Sequence, residues 1–130
     1  MTGMHGYIDF PDDVKDVYSF LVEEYDFKVV SQSHLQVVLQ SPRCVVSVST
    51  EYDYAEFLFR APEEKKWMFL GPYLEKYYPE ARLTHPTSAG ELTREQRVRV
   101  YLQYQSNIVK TYGKRFLTGD FSTNPHPSPY

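Results

Sequence analysis

The pair Gly113–Lys114, within the stretch TYGKRFLTGDF, contains two of the residue types of a phosphate-binding loop. Such a loop needs another glycine five residues before the second one and a hydroxyl side chain directly after the lysine, because backbone amides wrap the phosphates and the hydroxyl binds magnesium. Ile108 stands at the first of these positions and Arg115 at the second. The spacing therefore excludes a phosphate loop and favours a helix end.

Metal and hydrolytic chemistry also lack a recognisable pattern. None of the histidines stands at ligand spacing from another His, Cys, Asp or Glu; they are His5, His34, His85 and His126. The acidic stretch EYDYAE lacks the central glycine and tight alternation of a calcium loop, so it predicts a solvated turn. No serine elbow or glycine-rich loop is present. We predict no metal and no cofactor.

Cys44 is the only cysteine, which excludes an internal disulfide framework and fits a reducing compartment. It lies in the apolar run CVVSV, which favours a buried, inert thiol over a nucleophile. The opening MTGMHGYIDF lacks the pattern of a secretory signal, and no apolar run approaches the ~20 residues that a membrane span needs. We therefore predict a cytoplasmic protein that does not bind a membrane.

Charge is divided unevenly along the chain. Residues 1–65 have a net charge of −7 and residues 66–130 one of +4, which together give −3. Two explanations stay open: the acidic first helix lies beside the basic last helix, or the acidic half faces a basic partner. The basic residues near the C-terminus are Arg94, Arg97, Arg99, Lys110, Lys114 and Arg115. They would suit nucleic acid, but a pI near 5.8 makes that partner unlikely.

Two segments have the three-and-four spacing of an amphipathic helix. The apolar stripe of the first is Val14, Val17, Tyr18, Leu21 and Tyr25. The stripe of the last is Val98, Tyr101, Gln105, Ile108, Tyr112 and Phe116. Thr93 and Gln96 match a capping box, and Gly119 suits the left-handed position that closes a helix. Gly113 inside the helix costs up to about 1 kcal/mol relative to alanine, which indicates a close contact or a bend.

Between these helices the hydrophobic period changes to two, which indicates strands. We expect four strands. Their inward-facing side chains are Phe27 and Val29 in the first, Leu35, Val37 and Leu39 in the second, Cys44, Val46 and Val48 in the third, and Ala55, Phe57 and Phe59 in the fourth. Polar breaks at 31–33, 41–43 and 51–53 favour hairpins. The segment WMFLGPYLEKYYP then predicts a loose strand end and a short helix that stops at Pro79, and residues 79–92 predict a loop.

The expected fold is α+β, in one domain over residues 1–120. It has an N-terminal helix, a four-stranded antiparallel β-meander, a short helix and a long C-terminal helix, with the helices on one sheet face. Residues 121–130 hold three of the 9 prolines and predict a flexible, extended tail. The residues predicted to be buried together are Leu21, Val37, Val46, Phe57 and Ile108.

The opposite, outer face of the sheet would carry about one apolar residue per strand among polar ones, which is typical of an interaction surface. Three possibilities for what covers this face stay open: a partner protein, a second copy of this chain in a homodimer, or the short helix or tail of the same chain. Tyrosine is favoured at interfaces because its ring buries a large area while its hydroxyl stays hydrated, and the chain has 12 of them. The residues predicted to bind a partner are Tyr52, Asp53, Tyr54, Glu56 and Leu58.

The segments SFLVEEYDFKVV, QVVLQSPRCVVSVSTEYDYAEFLF and WMFLGPYLEKYYP resemble a loose group of small bacterial proteins over residues 10–80. Those proteins have a helix that ends in an acidic, aromatic step, a β-meander with a Leu-x-Ser turn, here Leu39 and Ser41, and a tryptophan-led short helix. They are similar in build to the immunity proteins of polymorphic toxin systems, which bind and block one toxin domain without catalysis. The resemblance implies a non-catalytic binding protein, and the acidic half of the chain favours a basic toxin domain as its partner.

Two other functions stay open. A small hydrolase or transferase could assemble its site from residues distant in the sequence, and a nucleic-acid accessory protein could use the basic last helix. A deep pocket with convergent polar groups would indicate the enzyme, whereas a flat surface would indicate the binding protein.

Overall fold

The computed structural model of this protein describes residues 10–51, 54–81 and 93–121. Residues 122–130 of the predicted tail and 82–92 of the predicted loop lie outside these ranges. The elements in chain order are α1 (Phe10–Val17), α2 (Ser19–Tyr25), β1 (Lys28–Ser33), β2 (Gln36–Gln40), β3 (Val45–Glu51), β4 (Tyr54–Arg60), β5 (Met68–Phe69), α3 (Leu70–Tyr77), α4 (Arg94–Tyr112) and α5 (Lys114–Leu117).

The strands form one antiparallel sheet in the order β1-β2-β3-β4-β5, in which each strand pairs with its neighbour in sequence. The predicted α+β class, meander and long C-terminal helix are confirmed. The sheet has one strand more than predicted, because Met68 pairs with Phe59 and Phe69 with Leu58. Two residues are too few to show a period of two, so the sequence indicates only a loose strand end there.

The inner face of the sheet carries the hydrophobic core. The five residues predicted to be buried together all belong to one buried cluster: Leu21, Val37, Val46, Phe57 and Ile108. Aromatic rings from the helical layer pack on β4. Phe116 of α5 stacks on Phe59 with ring centroids 3.8 Å apart, and Tyr18 lies 5.6 Å from Phe57. The predicted inward register of β2, β3 and β4 is therefore correct, apart from the first residue expected on β2.

That residue, Leu35, belongs to the turn between β1 and β2 and is 44% exposed. The prediction placed a break at residues 31–33, whereas β1 continues through them to Ser33. All residues of β1 are exposed because it forms the sheet edge. A strand that is open to water tolerates polar residues at every position, so its sequence does not show where it ends.

A bulge in β1 also changes which side chains face inward. The pairing with β2 shifts between Val29 and Ser31, so one extra residue stands in β1. As a result Gln32, which falls in the predicted break, lies opposite Val37 of the inner face. Its Oε1 accepts a hydrogen bond of 3.1 Å from Lys15 Nζ of α1. A period-two pattern fails after a bulge because the extra residue exchanges the two faces.

The first helix is divided in two at Tyr18, which was predicted as part of a continuous stripe. Tyr18 has φ −105° and ψ 20° and separates α1 from α2. The side chain is fully buried, and its hydroxyl donates a hydrogen bond of 2.6 Å to Oε1 of Gln105 in α4. Burial raises the pKa of this hydroxyl well above its usual value. The break therefore lies where a polar group is buried against another helix.

Gln105, the polar member of the predicted stripe, is completely buried. Its Nε2 donates a hydrogen bond of 2.9 Å to the carbonyl oxygen of Ala55 in β4. Thr50 of β3 lies opposite Ala55 and donates its backbone amide to the Leu35 carbonyl, on the side away from β4. Thr50 and Ala55 are therefore a non-hydrogen-bonded pair, and the Ala55 carbonyl points away from β3. Since β5 pairs only further along β4, Gln105 supplies the donor that a neighbouring strand would otherwise provide.

The last helix is interrupted at Gly113, where the sequence indicated a close contact or a bend. A Cβ atom at this position would lie 2.6 Å from the Val109 carbonyl oxygen and 2.9 Å from the Phe116 ring. The capping box of Thr93 and Gln96 is present. Gly119 has φ +91° and donates its amide to the Phe116 carbonyl, so it closes α5.

Acidic residues of the N-terminal half and a basic residue of the C-terminal half form ion pairs between α1 and α4. Arg99 of α4 pairs with Asp13 and, at 3.1 Å, with Asp16 of α1. The first of the two explanations for the charge distribution, an acidic first helix beside the basic last helix, is thus seen directly in the fold.

Candidate protein-binding surface

The outer face is the side of the sheet that faces away from the helices described above. Its central row crosses the strands from Val38 through Ser47 and Leu58 to Phe69, which are paired in that order. Phe69 is 52% exposed, and Val38 and Leu58 are half-buried. Ser47 interrupts the apolar residues of this row, so the apolar strip of the outer face consists of Leu58 and Phe69 at the β4–β5 side.

The middle of the outer face is closed rather than hollow. Val45 and Ser47, which point outward from β3, are only 2% and 1% exposed. Gln36 of β2 donates a hydrogen bond of 2.9 Å from Nε2 to Ser47 Oγ and so lies over the central strand. The Gln36 side chain thus closes the row at Ser47, and both outward residues of this part of β3 are buried.

Arg60 and Trp67 form a fixed pair beside the apolar strip. The Arg60 guanidinium lies over the Trp67 ring, 4.7 Å from its centroid. Arg60 Nη1 also donates to the carbonyl oxygens of Ala61, Pro62 and Glu64, at 3.3, 3.2 and 2.7 Å. These bonds hold the turn after β4 and keep the tryptophan ring beside the strip.

Glu56 stands on the other side of Leu58 along β4. It is half-buried and lies opposite Ser49 of β3. Its carboxylate has no hydrogen-bond or ion-pair partner within residues 10–51, 54–81 and 93–121. A partly desolvated carboxylate without a protein cation can gain from a cation that a binding partner supplies.

The predicted partner-binding residues divide into two groups. Glu56 and Leu58 lie on the outer face, as expected from the alternation with buried Ala55, Phe57 and Phe59. Tyr54 is the first residue of β4, and Tyr52 and Asp53 lie outside the described residues.

Sequence reasoning missed Phe69 and Trp67 as members of the same surface. Phe69 reaches it only because β5 pairs with β4, and Trp67 is held there by Arg60. The available signal was the apolar triplet WMF between a charged turn and a helix, which indicated a strand end but not the strand beside it.

Within the described ranges, the chemically reactive side chains are not brought together. Cys44 is completely buried, and burial raises the pKa of its thiol to about 12, so it stays protonated and unreactive at neutral pH. Within the described residues, no group of three or more His, Cys, Asp or Glu side chains could hold a metal ion. His34 is exposed in the β1–β2 turn, and the other histidines lie outside the described residues.

None of the helices in the described parts of the chain is long and apolar enough to cross a membrane. Comparison with known proteins gives no relative: no family model, no curated protein and no solved structure matches this chain.

Proposed function

We propose that this chain is a non-catalytic protein-binding protein of the bacterial immunity type, which acts in the cytoplasm and neutralises a partner protein through the outer face of its sheet. The observation that carries the proposal is the apolar strip with Leu58 and exposed Phe69, next to an unpaired carboxylate, on the face away from the helices. An apolar centre with a polar surround is the usual composition of a protein interface.

The closed middle of this face supports a protein rather than a small molecule as the ligand. Val45 and Ser47 are buried and Gln36 is bonded to Ser47, so no opening reaches these two residues. Small-molecule sites are concave and enclose most of their ligand. The buried, protonated Cys44 thiol likewise argues against a nucleophilic role for this cysteine.

The nucleic-acid alternative is weakened by the ion pairs of α4. Arg99 is paired with Asp13 and Asp16, so part of the positive charge that the sequence offers is compensated within the fold. A surface that follows a phosphate backbone needs several uncompensated cations in a row.

The proposal is tested with the product of the gene next to the one that encodes this chain. Co-expression should prevent the toxicity of that product, and the two proteins should co-purify. We expect Leu58→Ala to weaken binding by roughly 2 kcal/mol, the size typical of an interface hot spot. Glu56→Lys should mainly slow association with a basic partner and change its salt dependence. Both quantities are measurable by surface plasmon resonance at two salt concentrations.

Matched controls are available on the helices. Gln103→Ala alters an exposed residue of α4, and Glu75→Lys reverses a charge at an exposed position of α3. Neither should affect binding if the outer face is the interface. Equal affinities of the partner for wild type, Leu58→Ala and Glu56→Lys would exclude this face as the interface. Loss of binding in both helix variants would instead show that the interface lies on the helical layer.

A further inference from the structure

We infer that the outer face recognises a cationic group placed about 7 Å from an apolar side chain, so that the partner presents a Lys or Arg beside an aromatic or large aliphatic residue. This inference rests on the proposed function and specifies the chemistry of its partner. The distance follows from the two-residue spacing of Glu56 and Leu58, because same-face neighbours on one strand are separated by two rises of about 3.3 Å.

The apolar part of this recognition site is formed by Leu58 and Phe69. They are direct neighbours across β4 and β5, and Phe69 is 52% exposed. Trp67 extends the apolar surface in the next row, where the Arg60 guanidinium covers one face of its ring at 4.7 Å. An aromatic residue that is already held in place loses little side-chain freedom on binding, which favours it as an anchor.

The preference for a cation follows from a difference between Glu56 and Arg60, the two charged residues that flank Leu58 along β4. Arg60 is committed to the turn after β4, since its Nη1 donates to the carbonyl oxygens of Ala61, Pro62 and Glu64. The Glu56 carboxylate has no hydrogen-bond or ion-pair partner within the described residues. A ligand cation can therefore pair with Glu56, whereas the Arg60 guanidinium already has its Nη1 bonded to backbone carbonyls and its face against the Trp67 ring.

Three small probes test the inference without the natural partner: phenylbutylammonium, the neutral phenylbutanol and the anionic phenylpentanoate. Each is titrated into isotope-labelled protein while backbone amide signals are recorded by NMR. We expect the cation to bind about two- to fivefold more tightly than the alcohol, the gain typical of an exposed ion pair. The affected amides should be those of Glu56, Leu58 and Phe69. The anion should bind more weakly than the alcohol.

Two variants separate the apolar and the ionic contributions. Glu56→Gln should remove the preference for the cation while leaving the affinity for the alcohol unchanged. Phe69→Ser should weaken all three probes, and the exposed α4 variant Gln103→Ala should change none of them. The thermal midpoint of each variant is measured first, so that a loss of binding is not confused with unfolding.

Several outcomes would overturn the inference. Equal affinity of the three probes for wild type, tighter binding of the anion, or signal changes confined to β1 or α4 would each contradict it. A protein that light scattering shows to be a dimer, and that Phe69→Ser converts to a monomer, would mean that a second copy occupies the face instead.

The probe titrations and the adjacent-gene experiment fail independently. If Leu58→Ala abolishes binding of the neighbouring gene product but the probes show no charge preference, the proposed function stands and the inferred chemistry is wrong. If the probes show the preference but no neighbouring product binds, the recognition chemistry is present and the immunity function is wrong.

Discussion

The two faces of β4 differ in the burial of their side chains and in the elements that contact them. Phe57 and Phe59 point inward and are buried under rings from α5 and from the junction of α1 and α2. Glu56 and Leu58, on alternate positions, point outward and are half-buried, and Leu58 lies beside Phe69 of β5. The comparison shows that one strand can supply both the core and a binding surface, provided that the helical layer lies on one side only. Mutations on the two faces should accordingly affect different properties.

The largest expected effect is on the inner face, in Phe57→Ala. Phe57 is 2% exposed and lies against Tyr18 and Phe116, so truncation leaves a cavity within an aromatic cluster. We expect a loss of about 3 to 5 kcal/mol in the free energy of unfolding, measured by urea denaturation. Leu58→Ala, one residue further on the other face, is the control and should cost less than half as much. An unchanged urea midpoint in Phe57→Ala would contradict the inward register of β4.

A smaller effect is expected where polar groups are buried behind the inner face. Gln105→Leu keeps the approximate size of the side chain but removes both hydrogen bonds, so the Tyr18 hydroxyl and the Ala55 carbonyl lose their partner. Buried groups without a partner cost about 1 to 3 kcal/mol, and we expect a destabilisation in that range. Amide hydrogen exchange should also accelerate near Ala55.

Tyr18→Phe completes a double-mutant cycle with Gln105→Leu. Because Phe at position 18 has no hydroxyl left to bury, the double variant should lose less stability than the sum of the two single variants. Strict additivity would show that the 2.6 Å contact contributes no coupling and that the helix break at Tyr18 has another cause.

The smallest effect on stability is expected on the outer face, in Phe69→Ser. With half of its surface already in water, Phe69 contributes little to the core, and exposed substitutions usually stay within about 0.5 kcal/mol. The same variant should nevertheless lose affinity for the partner. A drop of several degrees in the thermal midpoint would mean that Phe69 supports the fold, and the contrast between the two faces would then be weaker than proposed.

The parts of the fold that the sequence predicts are those in which one face is apolar over several residues. The inward-facing positions of β2, β3 and β4 follow from the alternation, and the capping box of Thr93 and Gln96 can be inferred from residue type and spacing alone. The pattern failed in β1, where both faces are open to water and a bulge exchanges them. Period-two reasoning requires one dry face, and an edge strand lacks it.

The candidate surface was predicted only in part for a related reason. Glu56 and Leu58 lie on a long strand whose alternation is clear, so their outward position could be inferred from sequence. Phe69 belongs to a strand of two residues, and its place beside Leu58 is set by pairing across a turn. Such pairing depends on residues distant in the chain, which no local period records.

Gln105 shows most directly what the sequence determined and what the tertiary structure decided. The sequence by itself placed this residue on the buried stripe of a long helix, because helical spacing fixes which side chains share a face. It did not show why a polar residue stands there. That was decided by the packing of α4 against both Tyr18 and the edge of β4, where a hydroxyl and an unpaired carbonyl each need a partner. The demand for a hydrogen bond arises only when separate elements exclude water from the same place.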